Sequence, residues 1–184
     1  MTGDVRERKK ALRKTIRARV NALPESYRAA AGDAIQRQVL ASAEYRTAET
    51  VFVYIAVPTE PDTRRIIERA LSDGKRVCVP KCVSKTEMTA VRIKSLGDLA
   101  PGAYGILEPV DCSETAAPNE IDLILVPCVS ASKDGKRLGH GAGYYDRFLA
   151  ESRAKTLCLC FREALSDEIP TDENDVRVDR VLSD

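Results

Sequence analysis

Four short apolar runs constrain this chain more than any other feature: TVFVYIAVP (50–58), KRVCVPKC (75–82), IDLILVP (121–127) and TLCLCF (156–161). They are β-branched and aliphatic, with little charge in their interiors. A strand with one wet face would alternate polar and apolar residues, so these read as strands buried on both faces. The stretches between them have a different period. DTRRIIERALSDG (62–74) and YYDRFLAES (144–152) read as helices, the first ended by Gly74. Strands alternating with helices imply an α/β fold built on a parallel sheet, with ligands gathering beyond the carboxyl ends of the strands.

Upstream of this core, residues 6–22 carry Ala11, Leu12, Ile16 and Val20 at helical spacing, and Pro24 stops the helix. A second helix is expected over 25–43, with Ile35, Val39 and Leu40 on one face. MTAVRI (88–93) reads as a further strand. LAPGAYGILEPV (99–110) is too rich in Pro and Gly for regular structure and is expected to be a loop lying over something. The chain's 184 residues suffice for one substantial core and are short for two, so a single domain over 1–184 is expected.

Composition narrows the function. With 29 basic and 28 acidic residues the net charge is +1, which argues against a protein that grips nucleic acid or an anionic membrane over a wide area. Any anion site must be local. The cysteines at 78, 82, 112, 128, 158 and 160 follow no zinc or redox spacing, and His140 is the only histidine, so a Cys/His metal cluster is not expected. Cys78, Cys82, Cys158 and Cys160 sit in or beside strand-like runs and read as core residues in a reduced compartment. No apolar run is long enough to cross a membrane and the N-terminus lacks a signal-like apolar segment, so a cytoplasmic protein is expected.

RLGHGAGYYDRFL (137–149) then raises the chemical question. Glycines 139, 141 and 143 strip the Cβ atoms from a short arc after a turn at Lys133-Asp134-Gly135 and before a helix. Such an arc either makes a tight connection or presents N–H groups to an anion such as phosphate, with Arg137 adding a guanidinium fork from the loop. Asp146, in the first helical turn, suits the helix dipole and also suits magnesium beside a nucleotide. Magnesium usually takes one or two carboxylates, and the tail ENDVRVD offers Asp175 and Asp179 as a second. His140 has no acid beside it in sequence and is given no acid–base role. Lys9 and Arg13 in KKALR stand at i, i+4, either as a solvated face or as two cations meeting one polyanion. Glu60 follows the first strand, and Tyr104 is either an aromatic wall for a heterocycle or a satellite of the core.

In this order, KKALR, VFVYIAVPTEPDT, AYGILEP, DLILVPCVSASKDGKRLGHGAGYYDRFL and ENDVRVDRV resemble the 5-formyltetrahydrofolate cyclo-ligase family over nearly the whole chain. The resemblance implies a three-layer α/β fold, mainly parallel with helices on both faces, like that of sugar-phosphate isomerases and CoA transferases. It implies ATP-dependent closure of 5-formyltetrahydrofolate to 5,10-methenyltetrahydrofolate with release of ADP and phosphate, and Mg2+ as cofactor. The alternative is a folate- or nucleotide-binding regulator of the same fold with reduced turnover. The expected partners are ATP and 5-formyltetrahydrofolate alone, without nucleic acid or membrane, and the expected state is a monomer.

Residue by residue, the resemblance places ATP on Lys9, Lys10, Ala11, Leu12 and Arg13, and on Arg137, Leu138, Gly139, His140, Gly141, Ala142, Gly143, Tyr144 and Tyr145. The folate falls to Ile55, Glu60 and Tyr104, together with His140, Gly141, Ala142, Gly143 and Tyr144. Magnesium falls to Asp146 and Asp175. No protein nucleophile is implied, and Arg137 is the candidate for electrostatic catalysis. His140 and Ala142 depart from a loop that often reads G-Y-G-G-G or G-R-G-K-G in the family, which removes any lysine contact to phosphate at the second of those positions.

Overall fold

The computed structural model describes residues 2–102 and 105–184. The N-terminal half opens with α1 (Thr2–Asn21), α2 (Glu25–Ala41) and α3 (Ala43–Thr47), followed by β1 (Thr50–Val53), α4 (Arg64–Ser72), β2 (Arg76–Cys82) and β3 (Met88–Ile93). Short strands β4 (Leu99–Pro101), β5 (Leu107–Pro109) and β6 (Thr115–Ala116) come next. The chain then runs through β7 (Leu123–Val126), β8 (Ser130–Ala131), β9 (Arg137–Leu138), α5 (Tyr144–Ala150), β10 (Lys155–Leu159) and β11 (Arg180–Leu182).

Among the described residues the main sheet has seven strands in the order β11-β10-β7-β1-β2-β3-β6. The pairs from β11 through β2 are parallel, while β3 and β6 add antiparallel at one edge. Every residue of β1 and β7 is buried, as continuous apolar runs require. From β1 the chain crosses through α4 to β2, and from β7 through α5 to β10 on the other side. Right-handed crossovers in opposite directions put α4 and α5 on opposite faces, giving three layers. On one face Phe52 takes the rings of Phe148 and Tyr145 at 4.9 and 6.1 Å. The strand order reverses between β1 and β7, so a crevice opens beyond their carboxyl ends.

Several sequence expectations are corrected. The first strand ends at Val53, because Tyr54 leaves the sheet: its carbonyl accepts from Thr63 Oγ1 (2.6 Å) and its hydroxyl donates to Pro61 O (2.8 Å). The second helix breaks at Ser42, whose Oγ accepts from Tyr45 N (3.2 Å) and so caps a separate turn of helix. The 99–110 segment is not wholly irregular; β4 and β5 pair as an antiparallel ribbon. β8 and β9 form a second hairpin, in which Gly135 (φ 86°) turns the chain, and a Cβ there would strike Val178 O. Consequently Arg137 is not a loop residue but a buried strand residue, 5% exposed. β11 was also unforeseen, since RVL is too short to show a period. Cys78, Cys128, Cys158 and Cys160 are buried, whereas Cys82 is half-buried and faces a cavity.

Helix α1 buries Ile16 and Val20 to 1% and 2% exposure, which stabilises its docking by about 1.5–3 kcal/mol per side chain. It packs near residues 162–164, where Arg19 donates to Glu163 O. Among the described residues no helix is long and apolar enough to cross a membrane.

Candidate active site

Beyond the carboxyl ends of β1, β2 and β7 lies a cavity of about 1290 Å3. Three chain segments build most of its wall. Residues 54–60 form the first: Val57 O accepts from Glu60 N (2.9 Å), a turn with Pro58 at its second position, where a fixed φ is favoured. That turn aims Glu60 inward, and Val57 N–H donates to Glu60 Oε2 (3.0 Å). One face of α1 supplies the second segment through Lys9, Arg13 and Arg17 at successive i+4 positions. The glycine arc and the start of α5 supply the third.

The arc needs its glycines at two places. Gly141 has φ 114° and Gly143, the N-cap of α5, has φ 71°, both in territory that L side chains avoid. Arg13 threads against this bare backbone: its Nε donates to Gly139 O (2.8 Å), and a Cβ on Gly141 would lie 3.5 Å from its Cζ. Gly141→Ala is therefore expected to cost about 1–3 kcal/mol through its positive φ, or roughly 2–12 °C in Tm. Thermal melting checks it; an unchanged Tm would show that the arc relaxes freely. Because α5 has only seven residues, the arginines rather than the helix dipole supply most of the positive field.

Two cations of the cavity, Lys9 and Arg137, are paired with its carboxylates. Lys9 Nζ contacts Asp172 Oδ2 and Asp175 Oδ2, both at 2.6 Å. Burial works against the Lys9 charge, but the two aspartates outweigh it and hold the ammonium above its usual range. Arg137 Nη2 donates to Asp146 Oδ1 at 2.7 Å, with the arginine side chain 3% exposed. Its Nε is buried and has no hydrogen-bond partner among the described residues, nor has the hydroxyl of Tyr145 beside it on the wall. Burial pushes the Tyr145 phenol far above its usual range, so it stays a neutral donor. Burial and then the Arg17 charge lower the proton affinity of Arg13.

Lys9, Arg13, Ile55, Glu60, Arg137–Asp146 and Asp175 all line this one cavity. Lys10 and Ala11 are exposed and Leu12 packs on the core, so these three do not line it. Leu138 turns its side chain into the core at 1% exposure, leaving only its backbone for a ligand. Tyr104 lies outside the described residues. Of the two tail acids, Asp175 reaches the cavity, while Asp179 accepts from Thr156 N and Oγ1 (both 2.8 Å) and closes the sheet beside β10. The lone histidine has an acid partner after all: His140 Nε2 lies 2.8 Å from Glu60 Oε1, 80 positions away.

Sequence reasoning missed Arg17, Asp172 and Glu108. Arg17 was legible as the next i+4 step after Lys9 and Arg13. Glu108 was not, because its role rests on β5 reaching β2, where it meets Lys81 Nζ (3.0 Å) and Cys82 N (3.2 Å).

The donor set suits a hard divalent cation. Asp146 Oδ1 holds both Arg137 and Val176 N (3.2 Å), so the segment carrying Asp175 is tied to Asp146. The second oxygen of each carboxylate has no hydrogen-bond donor among the described residues. Among those residues no cluster of three or more His, Cys, Asp or Glu is placed to hold a metal ion. A cation here would complete its shell with phosphate oxygens and water, as magnesium commonly does.

A model of the 5-formyltetrahydrofolate cyclo-ligase family matches residues 5–184. A 5-formyltetrahydrofolate cyclo-ligase of Mus musculus is 29% identical, covering 97% of this chain and 94% of its own. A solved 5,10-methenyltetrahydrofolate synthetase of Aquifex aeolicus superposes with a TM-score of 0.84 at 30% identity, covering 95% of this chain and 88% of its own. One from Mycoplasma pneumoniae gives 0.78 at 25% identity, covering 95% and 98%.

Proposed function

The chain belongs to the 5-formyltetrahydrofolate cyclo-ligase family and is an enzyme forming 5,10-methenyltetrahydrofolate from 5-formyltetrahydrofolate; on that premise we propose that ATP and magnesium drive the closure in the cavity described above. At about 1290 Å3 the cavity exceeds the roughly 300–1,000 Å3 common for one small ligand, leaving room for two side by side. The observation that carries the reading is the buried Arg137 Nε without a partner. An unsatisfied guanidinium donor at a cavity wall calls for an acceptor-rich anion, and a phosphate supplies one.

The chemistry accounts for the other residues. A formamide oxygen is a poor leaving group; transferring a phosphoryl group to it makes it a good one, after which N10 attacks the formyl carbon and phosphate departs. Such a transfer asks the protein for positioning and charge neutralisation rather than a nucleophile. Lys9, Arg13, Arg137 and the backbone of 138–145 hold the phosphates in this reading. Ile55, Glu60, Tyr104 and the arc 140–144 border the folate. Asp146 and Asp175 would hold magnesium, whose charge offsets that of the phosphate oxygens. Because Lys9 and Arg137 already pair with Asp172, Asp175 and Asp146, a ligand reaching those two cations enters by exchanging partners. The same reading has a cytoplasmic monomer acting on these two small molecules, apart from nucleic acid and membrane.

The test is direct. Purified protein is expected to generate the absorbance of the methenyl product only with ATP and magnesium both present. Equal product with either omitted would overturn the proposal.

A further inference from the structure

His140, the only histidine of the chain, is engaged at both ring nitrogens. Nε2 lies 2.8 Å from Glu60 Oε1, and Nδ1 lies 3.2 Å from Arg17 Nη2. A guanidinium has donors only, so Nδ1 must accept. The proton of the neutral ring therefore sits on Nε2 and is donated to the carboxylate. Glu60 is well placed to fix that ring: its side chain is 4% exposed, and its other oxygen is held by Val57 N–H. A buried carboxylate orienting one imidazole nitrogen, with the other directed into a cavity, is the arrangement of a general base and its positioning acid. Here the basic nitrogen is covered by Arg17, through a long contact from a partly exposed side chain on α1.

We propose that His140 is the proton acceptor of ring closure, oriented by Glu60 and covered by Arg17 until an anionic ligand draws the guanidinium away. The role rests on the ring-closing reaction assigned above. Ring closure must take the proton from N10. The N10 lone pair forms the new C–N bond to the activated formyl carbon, and the N10–H proton passes to His140 Nδ1. The C–O bond to phosphate then breaks with its electron pair leaving on phosphate, the product retains the N5–C–N10 amidinium, and the imidazolium passes its proton to the departing phosphate, which leaves as hydrogen phosphate. The charged groups facing His140 are Glu60 from the turn after β1 and, from α1, Arg17 with Arg13 one helical turn away. Protonating Nδ1 removes the acceptor that Arg17 uses, so the contact with Arg17 is made by the ring with Nδ1 unprotonated.

Two measurements test the role. With a single histidine, the ¹⁵N-resolved imidazole spectrum of the full chain needs no assignment: an unprotonated Nδ1 and a protonated Nε2 are expected, and a ring protonated on Nδ1 in its neutral form would overturn the proposal. Initial rates at saturating ATP and magnesium are expected to rise with pH through one ionisation whose midpoint matches the imidazole titration. In His140→Gln that limb should vanish and the limiting rate should fall about a hundredfold, with the KM for ATP within about threefold. His140→Asn serves as a second variant should the first fold poorly. Persistence of the pH limb in either, or a raised KM for ATP with an intact limiting rate, would leave His140 a binding residue only. Absence of ATP-dependent product from the unaltered protein fails the reaction assignment instead, and this role with it.

Discussion

Arg137→Ala is expected to lower ATP-dependent turnover by two orders of magnitude or more and to destabilise the protein by about 2–3 kcal/mol. Both effects come from burial. The guanidinium is 3% exposed and holds Asp146 at 2.7 Å, so truncation leaves a carboxylate in the wall without its counter-charge. Breaking a wholly buried pair costs about 3–5 kcal/mol, and the lower figure reflects the 21% exposure of Asp146. A loop arginine would have shown the loss of rate with little change in folding. Arg137→Lys separates the two contributions: it restores a charge without the planar fork, so stability should recover further than turnover. Melting curves and the ATP dependence of the rate read each arm. Full activity in Arg137→Ala at normal ATP would remove the residue from the phosphate site.

Asp146→Asn should raise the magnesium needed for half-maximal rate by about 10–100-fold, at least the cost seen when groups supporting a metal ligand are lost. The amide keeps an oxygen that can still accept from Arg137 and Val176, so the stability loss should stay near about 1 kcal/mol. If instead Asp146 only complements the start of a two-turn helix, the loss is about 0.3–1 kcal/mol with an unaltered magnesium curve. Titrating magnesium against initial rate, with a melting curve beside it, separates the two roles. An unchanged metal requirement would move the cation elsewhere.

Both predictions turn on a pairing, Arg137 with Asp146, between residues nine positions apart that were each singled out in the sequence as ligand-facing. The sequence presented them as two separate ligand contacts; the structure joins them and buries one. The same holds for Lys9, expected on ATP, and Asp175, expected on magnesium, which are bonded to each other across 166 positions. The pairing of His140 with Glu60 reverses the expectation of an isolated ring.

Local pattern carried the rest. The runs at 50–53, 76–82, 123–126 and 155–159 announced a buried parallel sheet because burial on both faces demands uninterrupted apolar residues, a property visible within a few positions. The glycine arc was legible for a similar reason: positive φ at Gly141 and Gly143 is a requirement on single residues. The ribbon of β4 and β5 escaped because its strands are three residues each and rich in proline, and β11 because it exists only where β10 offers hydrogen bonds. Ion pairs leave no periodic trace at all. A charge reads the same in sequence whether it faces water, a phosphate or another side chain, and only the packing of α1, the β1 turn and the arc around one cavity decides which of these it meets.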